Sequence, residues 1–405
     1  MNLEFIKGNP LFSRINKIPR QFNYLDKDIE TDVIIVGGGV TGCLLGYYFS
    51  KNNINAVILE KNIAGYGSTS ITTALLQYEL DEVLRKLEET TTYENIIKSY
   101  NLGLKALNEI HDFIEKYGNE CDYKERDTLL YTGEKVHKEE LYEEYKVRKE
   151  NNFNVEFIDS QNNPFSFKIE GGVYSKGGGA EIDPYKFTHE LIKVSESMGL
   201  RYFENTEAVK IQYDETNVTV TTKYDYKVKG KIVIAATGYN TKLFSDRNFG
   251  IKSTTYNIVT KPIENLEGYY NKVLIRDNKS PYNYFRTTKD KRIIAGGQDE
   301  NFIPDINHEK TAEEKYSILE AMIKNMFPQV SDLSIEYKYC GAFASTADNL
   351  GFIGKDPDNP KLWYNLGYGA NGILFAVLGG MMLSQLYLGN VDENLELFRI
   401  DRFDN

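Results

Sequence analysis

The clearest hydrophobic pattern in the chain is a pair of short, uninterrupted apolar runs on either side of a helix-like segment. Residues 32–36 read DVIIV and residues 56–59 read AVIL. Continuous β-branched runs of this length are typical of strands buried on both faces of a parallel sheet. Residues 40–51 have the length and apolar content of a buried helix. The order strand, helix, strand within about 30 residues predicts a βαβ unit.

The rest of the chain alternates between helical and strand-like patterns. Residues 1–31 show no sustained periodicity and are expected to form an irregular lead-in, whereas alternating segments over 254–297 predict antiparallel sheet. Asp183 and Pro184 predict a helix start, because aspartate caps helices and proline is favoured at the first helical position. We also expect helices over 69–118, 138–150 and 312–327, a glycine-rich loop over 171–179, and strands over 208–213, 218–222 and 231–235.

Composition and charge exclude several classes of protein. The 405 residues, 41% of them hydrophobic, are enough for two to three folded domains. The formal net charge of −11 argues against a nucleic-acid partner. The three cysteines are too few and too widely spaced for a disulfide framework or a metal site, so we expect a cytoplasmic protein without metal. We find no secretory signal, and no apolar run reaches the roughly 18 residues of a membrane span.

A glycine turn joins the first strand to the first helix. Gly37, Gly39 and Gly42 form the pattern GxGxxG, in which the glycines permit a tight turn, the approach of a pyrophosphate and close packing of helix on strand. The helix N-terminus then offers free N–H groups to the phosphates. Glu60 ends the second strand, where a carboxylate can accept hydrogen bonds from a ribose. These features predict a dinucleotide site, but they do not by themselves distinguish NAD from FAD.

Two further segments favour FAD. Residues 65–76, GYGSTSITTALL, form a hydroxyl-rich loop that can offer more donors to phosphates or to a flavin ring. Residues 231–238, KIVIAATG, read as a buried strand that ends in small residues, as expected where a sheet passes close to a ligand.

With these motifs in place, the chain resembles the D-amino-acid oxidase superfamily of flavoproteins, which includes glycine oxidase, sarcosine oxidase and γ-glutamylputrescine oxidase. The resemblance runs from Asp32 to about Gly389 and rests on an ordered series of motifs: DVIIVGGGVTG, Glu60-Lys61, GSTSITTALL, IDPYKF, Glu207-Ala208-Val209, IAATGYN, FRTTKDKRIIAGG, GAFASTADNLGFIG and GYGANGILFAVLGG.

The resemblance implies an α/β fold of two interleaved domains. A Rossmann-like FAD-binding domain, with a parallel sheet and flanking helices, is expected from residues 30–95, 170–245 and 338–389. A mixed, largely antiparallel substrate domain is expected from 96–169 and 246–337. Residues 1–29 would form an N-terminal lead-in and 390–405 a C-terminal tail.

The resemblance also assigns cofactor contacts. The three glycines resemble the pyrophosphate turn, Glu60 and Lys61 the contacts to ribose and adenosine, and Val209 the residue whose backbone meets the adenine. Residues 367–373 resemble the loop and helix start that face the pyrimidine end of the flavin. The implied cofactor-binding residues are Gly37, Gly39, Val40, Thr41, Gly42, Glu60, Lys61, Ser68, Thr69, Thr73, Ala74, Leu75, Val209, Ala236, Thr237, Gly238, Gly369, Ala370, Asn371, Gly372 and Ile373.

On the substrate side the chain departs from the family pattern. Glycine oxidase-like members hold the substrate carboxylate with two arginines, and the matching positions here are Phe343 and Ala370. Losing both removes a bidentate clamp and argues against a simple α-amino acid. Arg286 is the remaining candidate anchor, and Tyr282 and Tyr284, which share one face of a strand, are candidate walls of a substrate cavity. A surface ion pair for Arg286 and plain core packing for the tyrosines are the alternatives.

Two more departures concern flavin attachment and the electron acceptor. Sarcosine oxidase-like members attach flavin to a cysteine where this chain has Gly341, with Cys340 one residue away on the other face of the strand. We therefore expect non-covalent FAD. Those members also carry an oxygen-activating lysine where this chain has Ile294. Dioxygen or another electron acceptor, and hence an oxidase or a dehydrogenase, remain open.

The sequence thus predicts an FAD-dependent oxidoreductase that transfers hydride from a carbon beside nitrogen, in an amine or substituted amino acid, to flavin N5, giving an imine. The first alternative keeps FAD but oxidises a hydroxyl compound or a modified larger substrate. The second is an FAD-binding sensor or assembly protein without turnover.

Overall fold

The two β-branched runs lie side by side at the centre of a six-stranded sheet. The computed structural model of the chain describes residues 6–303 and 309–404. Its strands are β1 (Ile6–Gly8), β2 (Ile29–Glu30), β3 (Val33–Val36), β4 (Ala56–Leu59), β5 (Leu75–Gln77), β6 (Lys124–Thr132), β7 (Val155–Ile158), β8 (Gly171–Glu181), β9 (Arg201–Phe203), β10 (Ala208–Tyr213), β11 (Val218–Thr222), β12 (Lys227–Gly230), β13 (Ile232–Ala235), β14 (Ile251–Thr260), β15 (Leu274–Asp277), β16 (Tyr284–Thr287), β17 (Ile293–Asn301), β18 (Ile335–Ser345), β19 (Phe352–Lys355) and β20 (Leu362–Leu366). Its helices are α1 (Leu11–Ile15), α2 (Val40–Lys51), α3 (Ser68–Ile71), α4 (Leu84–Leu87), α5 (Tyr93–Tyr117), α6 (Lys138–Glu150), α7 (Pro184–Glu196), α8 (Glu309–Met326) and α9 (Gly372–Tyr387).

The six-stranded sheet has the order β19-β20-β13-β3-β4-β9, and its neighbours are parallel except for β19 and β20. Val33 and Ile35 of β3 pack in the core that contains helices α2, α7 and α9. Ile34 and Val36 pack in a second core with the four-stranded sheet β10-β11-β12-β2. Because successive strand residues point to opposite faces, both faces are apolar, which explains the uninterrupted runs in the sequence.

A second, ten-stranded sheet contains the region with alternating sequence. Its order is β1-β18-β14-β17-β16-β15-β6-β8-β5, with β7 paired to β8. The pairs among β14 to β17 are antiparallel, as predicted for 254–297, whereas β15 and β6 are parallel. Leu319 and Ile323 of α8 pack with Tyr256 and Ile258 of β14 to form the core on one side. The predicted combination of a parallel sheet with helices and a largely antiparallel sheet is confirmed.

Three local predictions were wrong. The described part of the lead-in carries β1, α1 and β2 rather than irregular chain. The glycine-rich loop over 171–179 is strand β8, which pairs with β6 along one side and with β7 and then β5 along the other. The helical segment over 69–118 is interrupted by β5. In each case pairing with a distant strand or packing on a distant helix decides the local structure, and this information is absent from local periodicity.

The predicted domain division crosses these sheets. Strands β5, β8 and β18 come from segments assigned to the FAD-binding domain but pair within the ten-stranded sheet. The domain boundaries therefore stay a prediction. Residues 1–5 of the lead-in, 304–308 of the substrate domain and 405 of the tail lie outside the described residues. Among the helices that are described, none is long and apolar enough to cross a bilayer.

Candidate active site

A long cleft opens where the parallel strands end. Its walls include Gly37 after β3, Glu60 after β4, Ala236 after β13 and Gly367 after β20, and the opposite wall comes from the ten-stranded sheet. Ligands of open α/β sheets bind outside the carboxyl ends of the strands. The empty volume is about 2260 Å³, including the part open to solvent. The wall residues come from both sheets, with Gly37 and Glu60 from the six-stranded sheet and Thr255 and Arg276 from the ten-stranded sheet.

The turn between β3 and α2 has no space for side chains. Gly37 has φ 113°, and a Cβ there would lie 2.3 Å from the carbonyl oxygen of Ala236. A Cβ on Gly42 would lie 1.8 Å from the carbonyl oxygen of Gly37. The Thr69 hydroxyl accepts a hydrogen bond of 3.0 Å from the Val40 N–H and so supports the turn. The result is a bare backbone surface at a helix N-terminus, which suits an anionic phosphate group. We call the part of the cleft around Gly37, Gly39, Glu60 and Thr69 the glycine end.

Glu60 is held in place by the backbone. Its two carboxylate oxygens accept hydrogen bonds of 2.7 Å from the N–H groups of Gly38 and Asn62. Burial raises the pKa of the Glu60 carboxyl, and the two N–H donors oppose this rise. An ionised carboxylate has about four acceptor sites, so the fixed group can still accept hydrogen bonds from a ligand in the cleft.

Most of the sequence-predicted cofactor residues lie on the cleft wall. Those that do are Gly37, Gly39, Val40, Thr41, Glu60, Lys61, Ser68, Thr69, Thr73, Leu75, Ala236, Thr237, Gly238, Gly369, Ala370, Gly372 and Ile373.

Four other predicted cofactor residues do not line the cleft. Gly42 lies beneath the turn, and Ala74 is buried. The Val209 side chain is 47% exposed to solvent, whereas its neighbour Ala208 lines the cleft. Asn371 is buried, and its Nδ2 donates a 2.9 Å hydrogen bond to the carbonyl oxygen of Glu79.

The opposite end of the cleft is built from strand side chains. Thr255 of β14, Arg276 of β15, Tyr284 of β16 and Tyr282 just before it line this part of the wall, and we call it the tyrosine end. Arg276 and Tyr284 are directly opposite each other in the antiparallel pair of β15 and β16. Directly opposite residues point to the same face of a sheet. The two predicted tyrosines therefore share their surface with an arginine that sequence reasoning missed.

Arg286 lies elsewhere. Its side chain is 2% exposed, its Nη2 donates a 3.0 Å hydrogen bond to the carbonyl oxygen of Ile182, and its guanidinium lies 5.5 Å from the ring centroid of Phe12 on α1. It is not part of the cleft wall among the residues described. Because it follows Tyr284 by two residues, it shares that face of the strand but lies about 7 Å further along it, where α1 covers the sheet.

Arg276 has free hydrogen-bonding capacity in a buried position. It is 3% exposed, its Nη1 donates to the main-chain oxygen of Asp81, and its guanidinium lies 5.5 Å from the ring centroid of Tyr282. Its Nε and Nη2 have no hydrogen-bond partner among the described residues. A buried guanidinium with unused donors is costly unless a ligand fills them, so this is the natural anion site of the cleft.

Asp81 ties this arginine to the loop before α9. Its Oδ2 accepts a 3.0 Å hydrogen bond from the Ala370 N–H. Burial raises the pKa of the Asp81 carboxyl, and the positive charge of Arg276 opposes the rise. Asp81 follows β5 in a stretch without a recognisable motif, and sequence reasoning missed it for that reason.

Several residues of this chain stand at or beside positions where relatives in the family carry an arginine, a cysteine or a lysine, and the structure shows where they lie. Phe343 and Ala370 both line the cleft, so the two positions that carry arginine in glycine oxidase-like members face the cleft without a charge. Cys340 is buried in the core with Tyr256 and Tyr316, and burial raises the pKa of its thiol. Ile294 is buried with Leu11 and Phe12.

The fold and the cleft together define an α/β protein with a dinucleotide site at the ends of its parallel strands. The family profile of the DAO family, described as FAD dependent oxidoreductase, matches residues 32–386. The chain therefore belongs to this family, and it is an FAD-dependent oxidoreductase. The bare backbone at the glycine end and the length of the cleft fit FAD as the cofactor.

Individual relatives are distant in sequence but match this chain over most of their length. The "Probable oxidoreductase OrdL" of Haemophilus influenzae is 23% identical, over 93% of this chain and 87% of that protein. The gamma-glutamylputrescine oxidoreductase of Escherichia coli is 21% identical, over 95% and 88%. The crystal structure of glycine oxidase from Geobacillus kaustophilus superposes with a TM-score of 0.76 at 18% identity, covering 92% of this chain and 99% of that chain.

Proposed function

We propose that this enzyme oxidises the C–N bond of an amine that also carries an anionic group, giving an imine that water then hydrolyses. The observation that carries this proposal is Arg276, a buried cation at the tyrosine end with two donor groups free. The name of one relative, gamma-glutamylputrescine oxidoreductase, refers to an amine that bears a carboxylate, and this supports the same substrate class.

The cofactor-binding roles follow from the glycine end. The turn of Gly37 and Gly39 would hold the pyrophosphate, Glu60 the adenosine ribose, and the first turn of α9 the pyrimidine edge of the flavin ring. When bound, FAD supplies the hydride acceptor, atom N5 of its ring. The helix N-terminus would favour the negative charge that collects on this edge when the flavin is reduced.

The substrate-binding roles follow from the tyrosine end. Arg276 would pair with the anionic group of the substrate through its free Nε and Nη2. Tyr282 and Tyr284 would form the walls that exclude water and direct the amine-bearing carbon toward the flavin. Asp81, which accepts from the Ala370 N–H and contacts Arg276, would fix the distance between the anion site and the flavin loop.

The test is an anaerobic substrate screen that follows the loss of flavin absorbance. The panel contains glycine, N-methylglycine and N-acetylputrescine-type monoamines with and without a carboxylate, together with the matched 2-hydroxy acids. We expect amines with a carboxylate to bleach the flavin and their uncharged analogues to do so at least about 10-fold more slowly, since a charge-assisted pair contributes roughly 1.5–3 kcal/mol.

Other results would redirect or overturn the proposal. Bleaching by hydroxy acids alone would favour the alternative in which a hydroxyl compound is oxidised. A flavin that dithionite reduces but no amine or alcohol reduces would favour a sensor or assembly role. Repeating the positive reactions with dioxygen and with an artificial electron-accepting dye would separate an oxidase from a dehydrogenase.

A further inference from the structure

An irregularity in the ten-stranded sheet brings a buried carboxylate close to the tyrosine end. Strands β14 and β17 pair Thr254 with Glu300 and Tyr256 with Gly297, so their register shifts at this point. Gln298, on the longer side of the shift, has φ 58°. Bulges of this kind re-aim side chains and are frequent next to active sites. Here the bulge places Asp299 opposite Thr255.

Two hydroxyl side chains lie between the cleft and this carboxylate. The Tyr284 hydroxyl lies 3.1 Å from the Thr255 hydroxyl. The register shift leaves Thr255 facing Gln298 and Asp299, and the Thr255 hydroxyl lowers the pKa of the Asp299 carboxyl as a hydrogen-bond donor. Tyr284 and Thr255 line the cleft, whereas Asp299 is not among its described wall residues. The single proton of the Tyr284 hydroxyl can be donated to Asn257 Oδ1, at 3.2 Å, or to the Thr255 hydroxyl, and a relay toward Asp299 uses the second orientation.

The charges around Asp299 make its ionisation responsive near neutral pH. The pKa of Asp299 is raised to about 6, by burial first and then by the negative charge of Asp81, while the hydrogen-bond donor Thr255 and the charge of Lys315 on α8 oppose the rise. Burial also raises the pKa values of the facing phenols Tyr282 and Tyr284, so both stay neutral. Above about pH 6 the carboxylate is charged, and its Oδ1 is buried without a hydrogen-bond partner in the described structure.

We propose that Asp299 receives a proton from the substrate ammonium group through Tyr284 and Thr255 before the C–N bond is oxidised. This inference rests on the proposed function, because it requires an amine in the cleft. An ammonium group cannot assist loss of hydride from its neighbouring carbon until it has lost a proton and regained its lone pair. The relay would supply that deprotonation inside a site from which the tyrosines exclude water.

The step balances without any redox change. One N–H bond of the ammonium breaks, and its proton passes to the Tyr284 oxygen as the Tyr284 proton passes to Thr255. The Thr255 proton then passes to the Asp299 carboxylate. The net result is a neutral amine and a protonated Asp299, while both hydroxyl groups are restored. Such positioned proton transfer typically contributes about 10²- to 10⁴-fold to a rate.

The first experiment measures the limiting rate of anaerobic flavin reduction against pH, using the panel amine that reduces the FAD-bound enzyme fastest. In the wild type we expect the rate to rise as pH increases through about 6, because Asp299 then loses its proton and becomes able to accept another. Asp299→Asn should remove this rise and lower the rate at pH 8 by about 100-fold.

Matched variants separate a proton relay from a structural role. Thr255→Val removes the linking hydroxyl and should behave like Asp299→Asn, whereas Thr255→Ser keeps the hydroxyl and should retain most of the rate and the pH profile. Glu300→Gln changes the same charge on the next residue of β17, where the carboxylate bonds to Tyr256, and should leave the profile unchanged.

A second readout needs no turnover. Infrared spectra of the FAD-bound enzyme without amine should show a protonated-carboxyl band that titrates near pH 6 and is missing in Asp299→Asn. If an amine reduces the flavin but Asp299→Asn keeps the wild-type pH profile, or if Thr255→Ser is as slow as Thr255→Val, the relay is wrong and the proposed function stands. If no amine reduces the flavin, the proposed function is wrong and the relay falls with it.

Discussion

The glycine end and the tyrosine end of the cleft are built from different parts of the chain. At the glycine end the wall is backbone: Gly37 and Gly42 lie so close to neighbouring carbonyl oxygens that a methyl group has no space. At the tyrosine end the wall is made of side chains such as Arg276 and Tyr284, which lie on adjacent strands and meet through their register. One end is local in sequence, and the other is assembled across the sheet.

This difference determines how each end tolerates change. A backbone surface admits almost no substitution at its glycines, but its neighbours vary freely as long as the turn is kept. A surface made of side chains tolerates substitution of the strand residues that point away from it. Its chemistry changes whenever one of the side chains that form it is replaced. We therefore expect the glycine end to preserve cofactor binding and the tyrosine end to set substrate choice.

The largest effect is expected from a methyl group at the glycine end. In Gly42→Ala the new Cβ would lie 1.8 Å from the carbonyl oxygen of Gly37, so the turn must open and the start of α2 must shift. We expect FAD to bind about 100-fold more weakly, since displacements of about 1 Å have effects of this size in precisely built sites. Flavin absorbance per protein and titration of the apoprotein with FAD measure this.

The matched control is Gly133→Ala, where the nearest atom to the new Cβ is the Lys168 carbonyl oxygen at 3.6 Å, an ordinary contact. This variant should keep its flavin. Circular dichroism establishes that both variants are folded. A folded Gly42→Ala protein with full flavin content would show that the turn is not the cofactor cradle.

The next effect concerns the arginines of two neighbouring strands, Arg276 on β15 and Arg286 on β16. Arg276→Met removes two free donors from the cleft and should raise the KM for an anionic amine by about 100-fold, which corresponds to roughly one charge-assisted pair. FAD content should not change. The measurement is steady-state kinetics with the best amine of the panel and with its uncharged analogue, for which the KM should stay the same.

Arg286→Met is the control for buried charge. Because Arg286 donates to the Ile182 carbonyl oxygen beneath α1, its loss should lower the thermal unfolding temperature and leave the KM as it is. The opposite pattern, a raised KM in Arg286→Met and none in Arg276→Met, would return the substrate anchor to the residue that the sequence first suggested.

The same contrast explains what could be predicted from sequence. The glycine turn, Glu60 and the bounds of α6, β10 and β11 follow from local signals in the sequence. These signals are a glycine where the turn needs a positive φ, short-range spacing and periodicity. Strand β8 was missed because glycines weaken a strand, and only pairing with β5, β6 and β7 supplies its hydrogen bonds.

At the tyrosine end, what can be predicted from the sequence is limited by the register of the strands, which the sequence does not reveal. Arg276 and Arg286 are separated by one hairpin, and both have side chains on the face shared with Tyr284. Only the position of α1 over the far end of β16 decides which of them is covered. No local feature of the sequence carries that information, because α1 and β16 are distant in the chain.

A smaller effect is expected at Glu60. In Glu60→Gln one oxygen is replaced by an NH₂ group, so one of the two N–H groups of Gly38 and Asn62 loses its acceptor. We expect FAD to bind about 10-fold more weakly, as expected for the loss of about one hydrogen bond. Fluorescence titration of the apoprotein with FAD measures the change.

Glu204→Gln provides the comparison, because its two oxygens likewise accept hydrogen bonds from the N–H groups of Phe22 and Ala64, but it is outside the described cleft wall. Both variants should lose stability to a similar extent, by roughly 1 kcal/mol in urea unfolding. Equal losses of FAD affinity in the two would mean that Glu60 acts only through stability.

The smallest effect is expected from Cys340→Ser. Adjacent strand residues point to opposite faces of a sheet. Cys340 lies in the core with Tyr256 and Tyr316, whereas Phe343, three residues further along β18, points to the opposite face and lines the cleft. Serine would keep a partner in the Tyr316 hydroxyl, so we expect a loss of about 1 kcal/mol in unfolding free energy and unchanged flavin content.

Acid precipitation should release the flavin from wild type and variant alike. Flavin that stays with the wild-type precipitate but leaves the variant would reveal a covalent bond, and would mean that the sheet opens far enough to turn this thiol toward the cofactor.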